Sequence, residues 1–412
     1  MPRVVVVLVL GIFLFSLSAR AQGSNTVSTV PASSLQGLLN ALASKSNVVG
    51  LCLGPAYAEC VASHPPNPSP IDTNIVGVLA SLEVSTAPIG TSTGGFTYTF
   101  DSRLGTFNRS SESFGPLFAE RSLTIGRGKL STEFNWLHAS YDTLGGFDMH
   151  NLDLRFVTAP TGYTATRAYA TSDTYVGTAI YGVTDNLDVG VAVPWVRMTV
   201  GADVGFFEPT GEDISPGNHF LVMPPTSAAG LGDLFAFGKY RLWRQPHGGL
   251  AAEVALRFPT GDINSLRGLG VYRTSLSAIW SRGGNVSPHA NVGYEIWSHK
   301  VGLDPTRPDV YVKDQVNYGV GLEIKANPRA TVLIDVVGRR ELHGGKMGYV
   351  RQEEGFDALV ALNESLDVVS FAPGVKWNVG GRVLLSANVL ASLANQGLRA
   401  RVIPVVGFEW AF

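Results

Sequence analysis

Three side chains that can take part in hydrolysis occupy every second position of one short stretch, namely His138, Ser140 and Asp142. In a β-strand this spacing places all three on one face, as a nucleophile, a base and a carboxylate would require. Phe134 and Trp136 share that face, which is therefore largely apolar and predicted to point outward. No nucleophile-elbow or zinc-helix motif offers another site. A hydrolase remains the rival interpretation, but we expect the chain not to be an enzyme.

Charged residues form a second and larger group, on the polar positions of alternating stretches. Glu253 and Arg257 alternate with Leu250, Val254 and Leu256, for example, so that a strand would carry charge on one face only. The candidate inward-facing residues are Lys239, Arg241, Glu253, Arg257, Glu295, Glu323, Lys325, Asp335, Arg339, Lys376, Arg382, Arg401 and Glu409. They could line an ion-selective pore or fill the interior with salt bridges. As a group they predict a hydrated interior.

Twelve stretches have the two-residue alternation that such an arrangement needs. They fall at 129–141, 171–183, 187–201, 231–243, 249–259, 270–281, 286–298, 314–326, 330–341, 366–378, 382–394 and 400–412. Short turns rich in Gly, Asn and Pro alternate with longer connections along most of the chain. This alternation is typical of transmembrane barrels, whose periplasmic turns are short and whose external loops are long. Further strand character at 79–87 and 96–100 would raise the count to fourteen.

The last of these stretches ends in an aromatic row. Val402, Val406, Phe408, Trp410 and Phe412 share one face, which is apolar to the final residue. Bacterial outer-membrane barrels typically end in such a strand, and tryptophans near other predicted strand ends fit interfacial girdles. The sequence therefore predicts an all-β protein, a transmembrane antiparallel β-barrel of 12 to 14 strands.

The amino terminus supports export. Arg3, an apolar run over 4–17 and the small residues Ala19 and Ala21 together have the pattern of a secretory signal peptide, predicted to span 1–21. In the oxidising periplasm Cys52 and Cys60 would form a disulfide. Only His64 lies near them, so neither a metal site nor any other cofactor is expected.

Composition agrees with this class of protein. Charged residues make up 16% of the chain, against roughly 25% in soluble proteins. The net charge of −2 and the absence of a basic stripe argue against nucleic-acid binding. We expect membrane lipid, lipopolysaccharide and small-molecule solutes as partners, and the oligomeric state is left open.

The chain divides into four predicted regions. After the signal peptide, 22–75 forms a periplasmic or plug segment with a short helix around Leu35, Leu38, Leu39 and Leu42. Residues 76–128 form either a plug or the first strands, and 129–412 form the barrel. Within the connection 202–230, Phe206, Phe207, Phe220 and Met223 are predicted to form a loop that folds over the mouth and binds apolar solutes, because exposed loops normally avoid such residues.

Several phrases resemble one known family. Residues 112–141, the turn at 181–190, GLGDL at 230–234, RFPTGD at 257–262 and SPHANVGYE at 287–295 look like the outer-membrane transporter family of the MetA pathway of phenol degradation. The resemblance covers roughly residues 80 to 410. A more distant similarity is to the long-chain fatty-acid transporter type, whose Asn-Pro-Ala hatch motif this chain lacks.

This resemblance implies an outer-membrane channel for passive uptake of small hydrophobic or aromatic solutes. Besides the barrel hydrolase, a structural or adhesive surface barrel is a third interpretation. The sequence shows no nucleotide motif, so the predicted transport is downhill.

Overall fold

A closed antiparallel barrel dominates the computed structural model. The structure describes residues 35–37, 73–87, 90–92, 94–101, 106–154, 163–207, 220–245, 248–304, 307–351 and 357–412. The predicted signal peptide and the cysteine pair lie outside these residues. Its longer helix is α1 (Thr73–Thr86), residues 35–37 are also helical, and two short 3-10 helices lie at Met149–Asn151 and Ile263–Ser265. Among the described helices, none is long and apolar enough to cross a membrane.

The strands, in chain order, are β1 (Tyr98–Asp101), β2 (Thr106–Arg109), β3 (Leu130–Leu144), β4 (Phe147–Asp148), β5 (Leu152–Leu154), β6 (Tyr163–Gly182), β7 (Leu187–Phe207), β8 (Phe220–Leu231), β9 (Leu234–Gln245), β10 (Gly248–Phe258), β11 (Arg273–Arg282), β12 (Val286–Trp297), β13 (Val301–Gly302), β14 (Tyr311–Asn327), β15 (Ala330–His343), β16 (Lys346–Arg351), β17 (Asp357–Leu362), β18 (Leu366–Gly380), β19 (Val383–Ser392), β20 (Leu398–Ala400) and β21 (Val402–Ala411). Within the described residues twelve strands form the wall, which confirms the lower of the two predicted counts. They are β3, β6, β7, β8 with β9, β10, β11, β12, β14, β15, β18, β19, and β20 with β21. The barrel closes where β21 pairs with β3, so that Phe408 lies opposite Phe134 and Glu409 opposite Glu133.

The wall has an apolar exterior and a largely polar interior. In β14, Val320 and Leu322 point outward, whereas Gln315 and Glu323 are buried inside. The exposed fraction of Val320 is 55% and that of Trp410 in β21 is 49%, so large apolar side chains remain uncovered by the protein. An apolar band of this kind requires a lipid environment, because such surfaces are costly in water.

Connections at the two ends differ as the sequence predicts. One end, the short-turn end, carries the tight links β6–β7, β11–β12, β14–β15 and β18–β19 together with Phe412. The other, the long-loop end, carries the remaining longer connections. In outer-membrane barrels the short turns face the periplasm.

Two expectations about the amino-terminal half are wrong. Residues 79–87, predicted to have strand character, lie largely in α1, and the strand at Tyr98–Asp101 pairs only with β2 and does not enter the wall. In α1 the side chains of Ile75, Val78, Leu79 and Leu82 are all buried. A helix that is covered on every side lacks the one-sided apolar stripe by which helices are identified in sequence.

Inside the barrel, α1 lies toward the long-loop end. Its apolar side chains join a cluster with Leu398 of β20, Met198 of β7 and Trp297 of β12, and with residues of the long connections. Each such side chain, fully buried, contributes roughly 1.5–3 kcal/mol. The interior at this end is therefore packed around α1 rather than open.

Candidate functional site

The other half of the lumen is occupied by the described residues between 90 and 128, which we call the plug. Wall carboxylates accept hydrogen bonds from its backbone. Gly95 N donates to Glu409 (2.6 Å) and Gly115 N to Glu323 (3.1 Å). Ile125 N donates to Asp188 (2.9 Å). Backbone amides that have no sheet partner are thereby satisfied inside the barrel.

Wall lysines satisfy carbonyl oxygens of the plug in the same way. Lys376 Nζ donates to Pro116 O (2.9 Å), and Lys239 Nζ to Ser92 O (3.2 Å). Both lysines are buried, with 2% and 0% of their surface exposed. These predicted lumen residues thus hold the plug.

One plug side chain reaches back to the wall. The guanidinium of Arg121 donates to Gly94 O (2.7 Å) and lies 3.5 Å from a carboxylate oxygen of Glu323. Burial lowers the pKa of Arg121, and the charges of Glu323 and Glu409 act in the opposite direction. Arg121 is a structural cation that sequence reasoning missed, because its stretch has no alternation.

Next to Glu323, two further wall residues form a buried pair. His289 Nε2 lies 3.0 Å from Asp335 Oδ1, and His289 Nδ1 lies 3.8 Å from Glu323. Asp335 was among the predicted inward residues and His289 was not. The signal for His289 is its parity with Asn291 and Glu295 on β12.

On the opposite side of the lumen, wall arginines hold the C-terminal end of α1. Arg257 and Arg273 both donate to the carbonyl oxygen of Ser85, at 3.0 Å each. A helix C-terminus carries partial negative charge, so cations stabilise it. Arg273 also pairs with Asp233 (3.4 Å) and Glu295 (3.5 Å).

The same end of α1 is fixed by a carboxylate. Glu83 accepts hydrogen bonds from Arg339 (2.6 Å) and Arg399, and Arg339 also pairs with Glu341 of its own strand (2.8 Å). Sequence reasoning identified Arg339 but missed Arg399, Glu341 and Glu83.

Between α1 and the plug lies a cavity of about 220 Å³, which we call the chamber. Its lining is mixed. Charged or polar members include Glu253, Arg257, Glu295, Arg339, Arg399 and Asn317, and apolar members include Phe118, Leu137, Phe235, Val337, Leu390 and Ile403. The chamber is the internal space that a solute could occupy.

Four predicted lumen residues lie away from the chamber. Arg241 is buried near the short-turn end, where it donates to Gln245 O (2.8 Å) and Gly248 O (2.6 Å), and Lys325 pairs with Glu112 of the plug. Arg382 lies in the β18–β19 turn and Arg401 in the break between β20 and β21, and both are exposed.

The prediction that Arg382 and Arg401 line the lumen is therefore wrong. At Arg401 the cause is an irregularity in the pairing of β20 with β3, between Arg399 and Ala400. It breaks the two-residue count, and Arg399 is the inward arginine instead.

The predicted mouth loop is also corrected. Phe206 and Phe207 lie in β7, and Phe220 and Met223 in β8, with Gly205 paired to Phe220. The connection 202–230 is thus largely two long strands rather than a loop over the mouth, and β-branched and aromatic residues there favour that pairing.

The candidate hydrolytic residues face outward on β3. His138 Nδ1 is hydrogen-bonded to Asp173 (2.9 Å) on β6, and Ser140 Oγ donates to Asp142 (3.3 Å). These are two separate pairs rather than a relay from serine to histidine. Within the described part of the chain, no three His, Cys, Asp or Glu side chains are arranged to hold a metal ion.

Comparison with family models gives one match. The model described as "Putative MetA-pathway of phenol degradation" matches residues 155–301. The resemblance seen in the sequence is confirmed. No curated protein matches the chain.

Solved structures similar to the chain include three outer-membrane proteins. An outer membrane channel from Pseudomonas putida is 14% identical, covering 71% of this chain and 98% of its own, with a TM-score of 0.48. The toluene transporter TbuX from Ralstonia pickettii is 13% identical over 70% and 90%, with a TM-score of 0.33. A FadL homologue from Pseudomonas aeruginosa is 10% identical over 80% and 97%, with a TM-score of 0.31.

A closed, even-numbered antiparallel barrel with an apolar exterior is the architecture of bacterial outer-membrane proteins. The chain is an outer-membrane β-barrel, as the sequence predicts.

Proposed function

We propose that the protein is an outer-membrane channel for passive uptake of small apolar or aromatic solutes. The observation that carries this is the chamber, an internal space with both apolar and polar walls inside a lipid-facing barrel. Downhill passage needs only a route and a site of moderate affinity.

Size and lining favour a single aromatic ring. A cavity of roughly 150 Å³ accommodates benzene, and the chamber measures about 220 Å³. Leu137, Val337, Leu390 and Ile403 supply apolar contacts, while Ser275, Ser277 and Asn317 can bind a small polar substituent. The matched family is described by a pathway of phenol degradation, which supports the same class of solute.

Passage requires one of the inner elements to move. The chamber lies between α1 and the plug, and both contact the wall through hydrogen bonds and ion pairs. Of the two, α1 is held largely by apolar packing and by contacts to its last turn, so we infer that it moves when a solute enters from the long-loop end.

The test fills the chamber while leaving the barrel intact. Ser277 faces the chamber on β11, whereas its neighbour Leu276 points outward and is 61% exposed. Ser277→Trp is expected to lower uptake of labelled toluene about tenfold or more, because the ring occupies solute space, and Leu276→Trp serves as the matched control.

Uptake is measured in cells with an intact lipopolysaccharide leaflet, which slows apolar solutes, with and without expression of the chain. No increase on expression of the wild-type protein would refute the channel. Equal uptake by the two tryptophan variants would refute the chamber as the route.

A further inference from the structure

The chamber contains an arginine pair whose shared partner belongs to α1. Arg339 of β15 and Arg399 of β20 both donate to the same oxygen, Oε1 of Glu83. All three residues line the chamber. A carboxylate therefore already occupies the space between the two guanidinium groups.

The two arginines differ in what else neutralises them. Arg339 has a second acidic partner, Glu341, at 2.8 Å on its own strand. Arg399 is 97% buried, and besides Glu83 it donates to the carbonyl oxygen of Leu398 (2.7 Å). Among the described residues its Nε and Nη2 atoms have no hydrogen-bond partner.

Buried cations of this kind demand an anion. Leaving a buried guanidinium without its counter-charge is strongly unfavourable, because the interior solvates it poorly. The other carboxylate beside this part of the wall, Glu295, pairs with Arg257 (3.8 Å) and Arg273 (3.5 Å). If α1 moves away, Arg399 has free donors and the site attracts another carboxylate.

The surroundings define what kind of carboxylate fits. A guanidinium group binds a carboxylate through two parallel hydrogen bonds, which gives both affinity and orientation. Val368, Leu390 and Ile403 also line the chamber, so an apolar ring attached to the carboxylate has surface to contact. The chamber volume limits the ligand to about one ring.

We propose that Arg339 and Arg399 form a binding site for small aromatic monocarboxylates, and that Glu83 of α1 is its internal occupant. An entering carboxylate competes with Glu83 for the arginine pair, and this exchange releases the last turn of α1 from the wall. The site deepens the proposed function and rests on it for its role in uptake, but the binding itself does not depend on transport.

The test is a titration of the full-length protein in detergent with benzoate and with uncharged benzyl alcohol. Glu83→Gln removes the internal competitor and nearly preserves its shape. It is expected to bind benzoate about tenfold or more tightly than the wild type, since a charge-assisted hydrogen bond is at stake. Binding of benzyl alcohol should change little.

Arg399→Met in the Glu83→Gln background removes the receptor and should abolish the gain. Arg340→Met is the matched control, because Arg340 is an exposed arginine on β15 that pairs with Asp367. Heat-dependent migration on gels and circular dichroism verify that each barrel is folded.

Equal benzoate affinity of the wild type and Glu83→Gln would overturn the proposal, as would equal losses from Arg399→Met and Arg340→Met. If Arg399→Met fails to fold, the gain in Glu83→Gln decides alone. Failure of toluene uptake with retained benzoate exchange would refute the channel and leave the site, and the reverse result would refute the site alone.

Discussion

At the scale of residues, most charged side chains of the interior bind inner elements of the same chain. Lys376 and Glu409 satisfy the plug backbone, and Arg273 satisfies the end of α1. Their charges still make the interior polar, but each is committed to a partner. Arg399 differs, because two of its nitrogen atoms remain without one in the described structure.

A residue-scale prediction concerns the cation of the plug. Arg121→Met removes two hydrogen bonds to plug carbonyls and leaves Glu323 with less neutralisation. Breaking such a buried pair costs about 3–5 kcal/mol. We expect the plug to become accessible to limited trypsin digestion at a lower urea concentration than in the wild type.

The control is Arg127→Met, which removes an exposed arginine from the same segment. Identical digestion of the two variants would show that Arg121 does not fix the plug.

At the scale of elements, α1 and the plug divide the lumen by different physical means. The plug is fixed by hydrogen bonds and charges from at least five wall strands. In contrast, α1 is surrounded by apolar side chains, with polar contacts concentrated near Glu83 and Ser85. Apolar packing is not directional, so α1 can shift without leaving polar groups unsatisfied along its whole length.

The element-scale prediction follows from that packing. Leu82 of α1 is completely buried, and Leu82→Ala should weaken docking of the helix by about 2–5 kcal/mol. We expect more frequent openings in single-channel recordings across planar bilayers.

Leu256→Ala makes the same deletion on the lipid-facing side of β10, where the leucine is 40% exposed, and should leave the recordings unchanged. Unaltered gating in Leu82→Ala would contradict a role of α1 in closing the barrel.

At the scale of the whole molecule, the barrel is ordered by what surrounds it. Its apolar outer band faces lipid, and its closed sheet leaves no unpaired wall edge in the hydrocarbon region. Charge on the outer face should therefore be tolerated or not according to depth.

Val320 lies near the middle of β14, and Val286 lies at the short-turn end of β12, with 55% and 52% of their surfaces exposed. Val320→Arg is expected to destabilise the barrel by about 2–4 kcal/mol, and Val286→Arg by about 0–1 kcal/mol. Unfolding by guanidinium in lipid vesicles measures both, and equal costs would contradict the membrane position assigned here.

Local pattern was sufficient to predict the wall, and insufficient to predict what fills it. Val320 and Leu322 alternate with polar neighbours because lipid and lumen impose opposite demands on successive residues, so the pattern can be read directly. Nothing comparable marks Arg399, because the irregularity beside it shifts the count. The predicted loop containing Phe206 and Phe220 is instead a strand pair, since apolar residues suit either environment.

The sequence by itself determined the class of protein, the number of wall strands, the outer-membrane location and the family resemblance. Each of these depends on a periodicity or a short local phrase. Only the tertiary structure decided that α1 fills the long-loop end, that wall lysines and carboxylates hold the plug, and that Glu83 lies between Arg339 and Arg399. Those contacts join residues hundreds of positions apart, and their energy comes from the burial that barrel closure creates.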